Sequence, residues 1–138
     1  MSDTVEVNWL DSMAFEAGVD NHKIIFDASE AAGGTNRGPR PKALTLATLG
    51  GCSGMDVVSI LAKMRVVPEK FGMKITGDLS EEHPRVYHTI NVVYHFKGKE
   101  LPMDKLEKAV NLSQERYCAV SAMLGKSAKI YTKIEVEE

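Results

Sequence analysis

PKALTLATLGGCSGMDVVSILAKMR, Pro41 to Arg65, is the stretch on which the fold of this 138-residue chain turns. Pro41 suits a first helical position, where its missing N–H would have no partner anyway. Leu44, Leu46, Leu49, Met55, Val57, Val58, Ile60, Leu61 and Met64 lie almost all round the helix, as in a buried, central element. At about 100° per residue, Thr45, Thr48, Cys52, Asp56, Ser59 and Lys63 fall within one stripe roughly 80° wide. Cys52 sits in the middle of it. The helix therefore hides most of its surface and presents a thiol among polar groups. A free cysteine is often only a small buried hydrophobe. Beside this one, however, Gly50 and Gly51 each cost a helix interior roughly 1 kcal/mol relative to Ala, so a close approach by another backbone or a ligand is expected there.

Upstream, Val5, Val7 and Trp9 alternate with Glu6 and Asn8, the period of a strand. Turn residues at Asp11-Ser12 and Gly18–Asn21 set off two further strands, near Met13–Ala17 and at His22–Ala28, and connections this short imply an antiparallel meander. The loop SEAAGGTNRGPRP, from Ser29, then carries Arg37 and Arg40 directly before the helix. Downstream, Pro68 ends the helix. Phe71, Met73, Ile75 and Leu79 form one face of a strand, and Val86, Ile90, Val92, Tyr94 and Phe96 that of the next, with SEEHPR turning between them. Pro102 opens a second helix, Tyr117–Leu124 reads as a further helical piece, and AKIYTKIEVEE closes the chain as a strand with Ile130, Ile134 and Val136 inward. Strands and helices are segregated, which makes the class α+β and 1–138 a single domain. A helix apolar all round needs more cover than these strands supply, so a homodimer is expected.

Composition narrows the function. A net charge of −2 and a pI near 6.1 argue against a nucleic-acid binder. No apolar run is read as long enough to span a bilayer, and the polar start MSDTVEVNW is not a signal peptide, so no membrane is expected and the default location is cytoplasmic. Two cysteines in a reducing compartment suit redox chemistry or packing better than a structural disulfide. His22, His83, His88 and His95 show no metal-binding spacing: there is no HExxH or CxxC, and His88 and His95 point to opposite faces of one strand. His88 shares the apolar parity and reads as partly buried. No metal is expected. The glycines at 50, 51 and 54 make neither GxGxxG nor a P-loop, and no GxSxG is present.

The thiols remain. Cys118, in ERYCAVSAML, follows Cys52 by 66 residues. If the two meet, a Cys52 sulfenic acid can condense with Cys118 to a disulfide. That chemistry needs a thiolate, and Cys52 is eleven residues inside its helix, beyond the reach of the terminal dipole. A cation must help, and Arg40, Arg37 and Lys42 are the nearby candidates.

With GPRPKALTLATLGGCSGMDVVSIL around the first thiol and ERYCAVSAML around the second, the sequence resembles the OsmC/Ohr family of bacterial thiol-dependent peroxidases. The order of elements matches over essentially the whole chain, and LGGCSGxDVVSIL is most similar to the OsmC-like subgroup. The resemblance implies an intertwined α+β homodimer, with antiparallel sheets wrapped around long central helices and sites at the subunit interface. It implies that Cys52 attacks the O–O bond of an organic hydroperoxide, or of hydrogen peroxide, in oxidative-stress defence, and that Cys118 resolves the product as a disulfide. A dithiol reductant, lipoyl in the best-known branch, then restores the thiols, with no metal, haem or flavin cofactor. One departure matters. The family's usual Glu, nine or ten residues before the reactive cysteine, is replaced by Ala43 and Lys42, and no Arg precedes Arg37. That departure favours the alternative reading, a non-enzymatic protein of this fold binding a small apolar ligand at the dimer interface.

Overall fold

Two tight turns make the N-terminal meander. Strands β1 (Glu6–Asp11), β2 (Ala14–Val19) and β3 (His22–Phe26) form an antiparallel sheet in the order β1-β2-β3. Asp20 and Asn21 join β2 to β3 with φ of 49° and 64°, a two-residue turn whose twist matches that of the strands. The computed structural model describes residues 1–138, in two compact units, Met1–Thr45 and Leu46–Glu138. Within the first unit β1 buries nothing: Val7 is 52 % exposed and Trp9 65 %. The alternation is that of a strand, but its apolar face is uncovered in the single chain.

The third strand ends at Phe26 rather than Ala28 because Asp27 leaves the sheet to organise the loop that follows. Its buried carboxylate accepts hydrogen bonds from the N–H of Ala28 (2.7 Å), the N–H and hydroxyl of Thr35 (3.2 and 3.0 Å) and the N–H of Arg37 (3.0 Å). The bond from Arg37 N–H, with the others and against the effect of burial, holds the Asp27 carboxyl down at about 2. Gly34 and Gly38 are required here, since a Cβ would collide with the carbonyls of Ala28 and Ile25 respectively.

Helix α1 (Pro41–Lys63) runs unbroken through Gly50 and Gly51, the division between units falling after Thr45. In the second unit, β4 (Lys70–Leu79), β5 (Tyr87–Lys97) and β6 (Lys129–Glu137) form a sheet with β5 central. The β4–β5 hairpin is antiparallel, whereas β6 runs parallel to β5. Purely antiparallel sheets were the expectation. The helical connection of α2 (Met103–Leu112) and α3 (Ala119–Leu124) carries the chain back to the starting edge, and so makes this pairing parallel. At the start of β5, Asp78 pairs with Thr89 and Leu79 with Tyr87, which leaves His88 as an extra, bulged residue. The bulge reverses side-chain parity. His88 is therefore exposed, bonded to the Thr89 hydroxyl at 2.8 Å, and Val86 is exposed as well.

Leu49, Val57 and Leu61 of α1 pack with Ile90, Val92, Tyr94 and Phe96 of β5 and with Leu106, Ala109 and Val110 of α2 as the core of this unit. Gly50 and Gly54 let β4 come close, for a Cβ there would stand 2.8 Å from Ile75 Cδ1 and 2.9 Å from Met73 Cε. Gly51 meets nothing within 4 Å, and Met55 and Val58 are 77 % and 54 % exposed. The expectation of a helix hidden nearly all round is thus corrected: one apolar face lies open. By length and composition alone α1 does match a bilayer span, with 23 residues and a mean hydropathy of 1.5 over its most apolar window. The reading that no run is long enough is corrected too. What marks α1 as a core helix is its polar stripe and its packing on β4 and β5.

The Asp27 knot sets an acid limit on the first unit. A carboxylate held at about 2 in the fold, against 3.8 ordinarily, contributes stability that is complete above about pH 5 and is lost as pH falls through about 2. Thermal unfolding followed by Trp9 fluorescence should show this loss, and Asp27→Asn should be less stable at pH 7 and lack that part of the acid dependence.

Candidate active site

The polar stripe on α1 puts Cys52 and Asp56 one turn apart on the same face. The other half of the site comes from the segment between α2 and α3. There Ser113–Tyr117 forms a π-helical turn, a widened turn that recurs at functional sites. It ends at Cys118, whose N–H donates to Ser113 O at 2.7 Å. Cys118 is the residue that caps α3, its sulfur accepting from the N–H of Ser121 at 3.3 Å. The two sulfurs and an Asp56 carboxylate oxygen all lie within 4.8 Å of one another. Cys118 is buried at 3 % exposure, while Cys52 and Asp56 are half-buried. Two thiols 66 residues apart in the chain meet.

Beneath them runs a hydroxyl and amide network. The fully buried Ser53 hydroxyl bonds the Tyr94 hydroxyl at 2.6 Å and the Ser113 hydroxyl at 2.9 Å. Ser113 Oγ donates to Asp56 Oδ2 at 3.1 Å. Gln114 Nε2 donates to the Tyr94 hydroxyl at 2.6 Å, and Gln114 Oε1 accepts from Ser121 Oγ at 2.6 Å. The chain of bonds thus starts at the carboxylate beside Cys52, and its last member, Ser121, also donates its N–H to Cys118. No buried side-chain nitrogen or oxygen lacks a partner.

Burial, then the neighbouring Cys52 and Asp56, push the Cys118 thiol up to about 11, although the Ser121 N–H pulls the other way. Cys118 is therefore protonated at neutral pH, held as an S–H beside Cys52. Burial also raises Tyr94, against its bonds from Ser53 and Gln114, so its hydroxyl stays neutral. Two thiols and a carboxylate are also donors that a metal ion uses, but a metal needs both thiols ionised. Burial at Cys118 favours the S–H form, so a metal bound there would have to displace that proton.

The three cations belong to the first unit. Arg37 is engaged by Asp11 and lies 3.5 Å from Asp27. Arg40 donates to Asn36 Oδ1 at 2.6 Å and Gly38 O at 3.0 Å, and the Lys42 side chain is exposed. None of the four histidines joins the thiols, and His95 instead faces Glu135 and Glu137. Sequence reasoning placed Asp56 on the stripe without giving it a role, and it missed Ser53, Tyr94, Ser113, Gln114 and Ser121. Tyr94 carried a signal: a tyrosine at a core position must find a partner for its hydroxyl. The serines carried none, because their meeting depends on the π turn.

The family model for OsmC-like proteins matches residues 34–133. Protein YhfA of Escherichia coli K12 is 34% identical over 131 residues, which are 94% of this chain and 95% of YhfA. A crystal structure from Aquifex aeolicus VF5 superposes with a TM-score of 0.84 at 32% identity, over 100% of this chain and 99% of that one. The organic hydroperoxide resistance protein OsmC of Legionella pneumophila shares the fold, with a TM-score of 0.70 at 15% identity over 99% and 98% of the two chains. Family match, near-complete coverage and a common architecture agree, and the chain belongs to the OsmC-like protein family.

Proposed function

We propose that this protein is a thiol-dependent peroxidase that reduces organic hydroperoxides, and hydrogen peroxide as a further substrate, in oxidative-stress defence. The observation that carries this reading is the meeting of Cys52 and Cys118 within 4.8 Å. Their environments divide the labour. Cys52, the more accessible, attacks the terminal oxygen of R–O–O–H: an S–O bond forms, the O–O bond breaks, and the alcohol leaves as the sulfur becomes a sulfenic acid. Cys118, buried beside it, then attacks Cys52 Sγ. An S–S bond of about 2.05 Å replaces the S–O bond, and water leaves. An external dithiol, lipoyl or similar in chemistry, reduces the disulfide by thiol exchange. No metal, haem or flavin takes part in either step.

Arg37 is held by Asp11 and Asp27, and Arg40 by Asn36 and Gly38, all within the first unit, and the proposed chemistry takes no cation from that unit. The open apolar faces support a homodimer. A groove of about 540 Å³ along α1 is lined by Gly50, Gly51, Gly54, Met55, Val58 and Phe71. Uncovered apolar surface of this kind marks an interaction site, and a second copy of the chain is the occupant we propose. The same groove is what supports the alternative, a binding protein for a small apolar ligand. A reducing cytoplasm suits either reading, since both keep the thiols free.

Stoichiometric tert-butyl hydroperoxide added to the reduced protein should remove two thiols and two mass units per chain within seconds, with a Cys52–Cys118 disulfide. Cys52→Ser should not react, and Cys118→Ser should stop at a sulfenic acid that dimedone traps. Thiols oxidising no faster than free cysteine would reject the peroxidase and favour the binding protein. Light scattering during gel filtration should give twice the mass of 15.2 kDa. Val58→Glu, which buries a charge if a second copy covers α1, should shift the mass to that of one chain. A wild-type monomer would reject the dimer.

A further inference from the structure

The peroxidase chemistry just proposed leaves a proton without a carrier at each step. The alkoxide released when the O–O bond breaks must be protonated, and so must the hydroxide released when the disulfide forms. Each attacking thiol must also lose a proton, and Cys118 is the harder case because its burial favours the S–H form. One side chain has the reach to serve both sulfurs. Asp56 lies one helical turn from Cys52 and has a carboxylate oxygen within 4.8 Å of both thiols, close enough for transfer through one water.

Two further observations single out this carboxylate. Its Oδ2 is oriented by the Ser113 hydroxyl at 3.1 Å, and Ser113 is fixed in turn by Ser53 at 2.9 Å, so the group is held in place by a fully buried support. It also lines a small cavity of about 130 Å³ together with Ser59, Ile60, Lys63 and Tyr117, which gives water a place beside the carboxylate. The ionisable groups around it are Cys52 and Lys63 on α1, Tyr94 on β5, and Tyr117 and Cys118 on the C-terminal segment. Tyr94, kept neutral in the core, does not compete for the proton.

We propose that Asp56 is the shared proton carrier of both half-reactions, resting on the peroxidase reading above. In the first, its carboxylate takes the Cys52 proton as the sulfur attacks, and returns that proton to the departing alkoxide as the O–O bond breaks. In the second, it takes the Cys118 proton as that sulfur attacks Cys52 Sγ, and returns it to the departing hydroxide, which leaves as water. The carboxylate ends each step as it began. Cys52 sulfur gives two electrons to the peroxide in the first step, becoming a sulfenic acid, and the second step only redistributes oxidation between the two sulfurs as the disulfide forms and water leaves. Ser113 is the positioning residue that aims the carboxylate.

The test isolates each step in the reduced full-length protein. In a Cys118→Ser background, dimedone trapping with mass analysis gives the rate of sulfenic acid formation by tert-butyl hydroperoxide. In the two-cysteine protein, disulfide formation gives the second rate. With Asp56 present, both rates should be nearly independent of pH between about 6 and 8. Asp56→Asn should slow both by about 100-fold at pH 7 and make them climb tenfold per pH unit, with Asp56→Glu recovering much of the loss. Ser113→Ala should slow both by a smaller factor without changing the pH profile. A merely structural aspartate would lower the melting temperature and leave the variant with the wild-type pH profile. Asp56→Asn with wild-type rates and profile overturns the proton carrier while leaving the peroxidase intact. A wild-type chain that does not consume the hydroperoxide overturns the peroxidase itself. Should Asp56→Asn fail to fold, the wild-type profile decides: a tenfold climb per pH unit means free thiolate alone, and rejects the carrier.

Discussion

The buried hydroxyl of Ser53 ties together the three parts of the chain that make the site. It bonds Tyr94 on β5 and Ser113 in the π turn, while its own backbone belongs to α1, one residue after Cys52. A hydroxyl left unpaired in such a place costs about 1–3 kcal/mol. The C-terminal segment must therefore dock in one register, with Ser113 against Ser53, for Tyr94 and Gln114 to be satisfied as well. That register is what brings Cys118 to Cys52. The thiols do not hold themselves together. A polar network beneath them does, and the apolar packing of Leu49, Val57 and Leu61 on β5 closes round it.

The same docking makes the two thiols unlike. Cys52 faces the half-open polar stripe of α1, whereas Cys118 is enclosed at a helix start, where burial keeps its proton on. A half-buried thiol that attacks first and a buried thiol that follows is the order the proposed chemistry needs. Asp56 lies close to both and is bonded by Ser113 of the network.

Much of this was legible from residue patterns because it is local. The helix from Pro41, the alternating strands, the hairpin turns and the thiol on a polar stripe each follow from spacing within about ten residues. Three features were not. The parallel pairing of β6 depends on where a helical connection leaves the chain, which no strand pattern records. The exposure of His88 depends on a bulge, and one extra residue reverses a parity argument that was otherwise sound. The network depends on a π turn that places Ser113, Gln114 and Cys118, a geometry that SQERYC does not announce. The open faces of α1 and β1 are a different kind of gap. Their sequences carry the apolar pattern of buried faces, and the single chain leaves Met55, Val58, Val7 and Trp9 uncovered.

The inequality of the two thiols is the centre of this account, and differential alkylation measures it directly. Reduced protein exposed to iodoacetamide over a range of pH, then digested and weighed, gives a rate for each cysteine. The account predicts that Cys52 is modified at pH 8 while Cys118 stays protected, and that Cys118 gains reactivity only as the pH approaches about 11. Equal rates at the two cysteines at pH 8, or Cys118 reacting first, would contradict it.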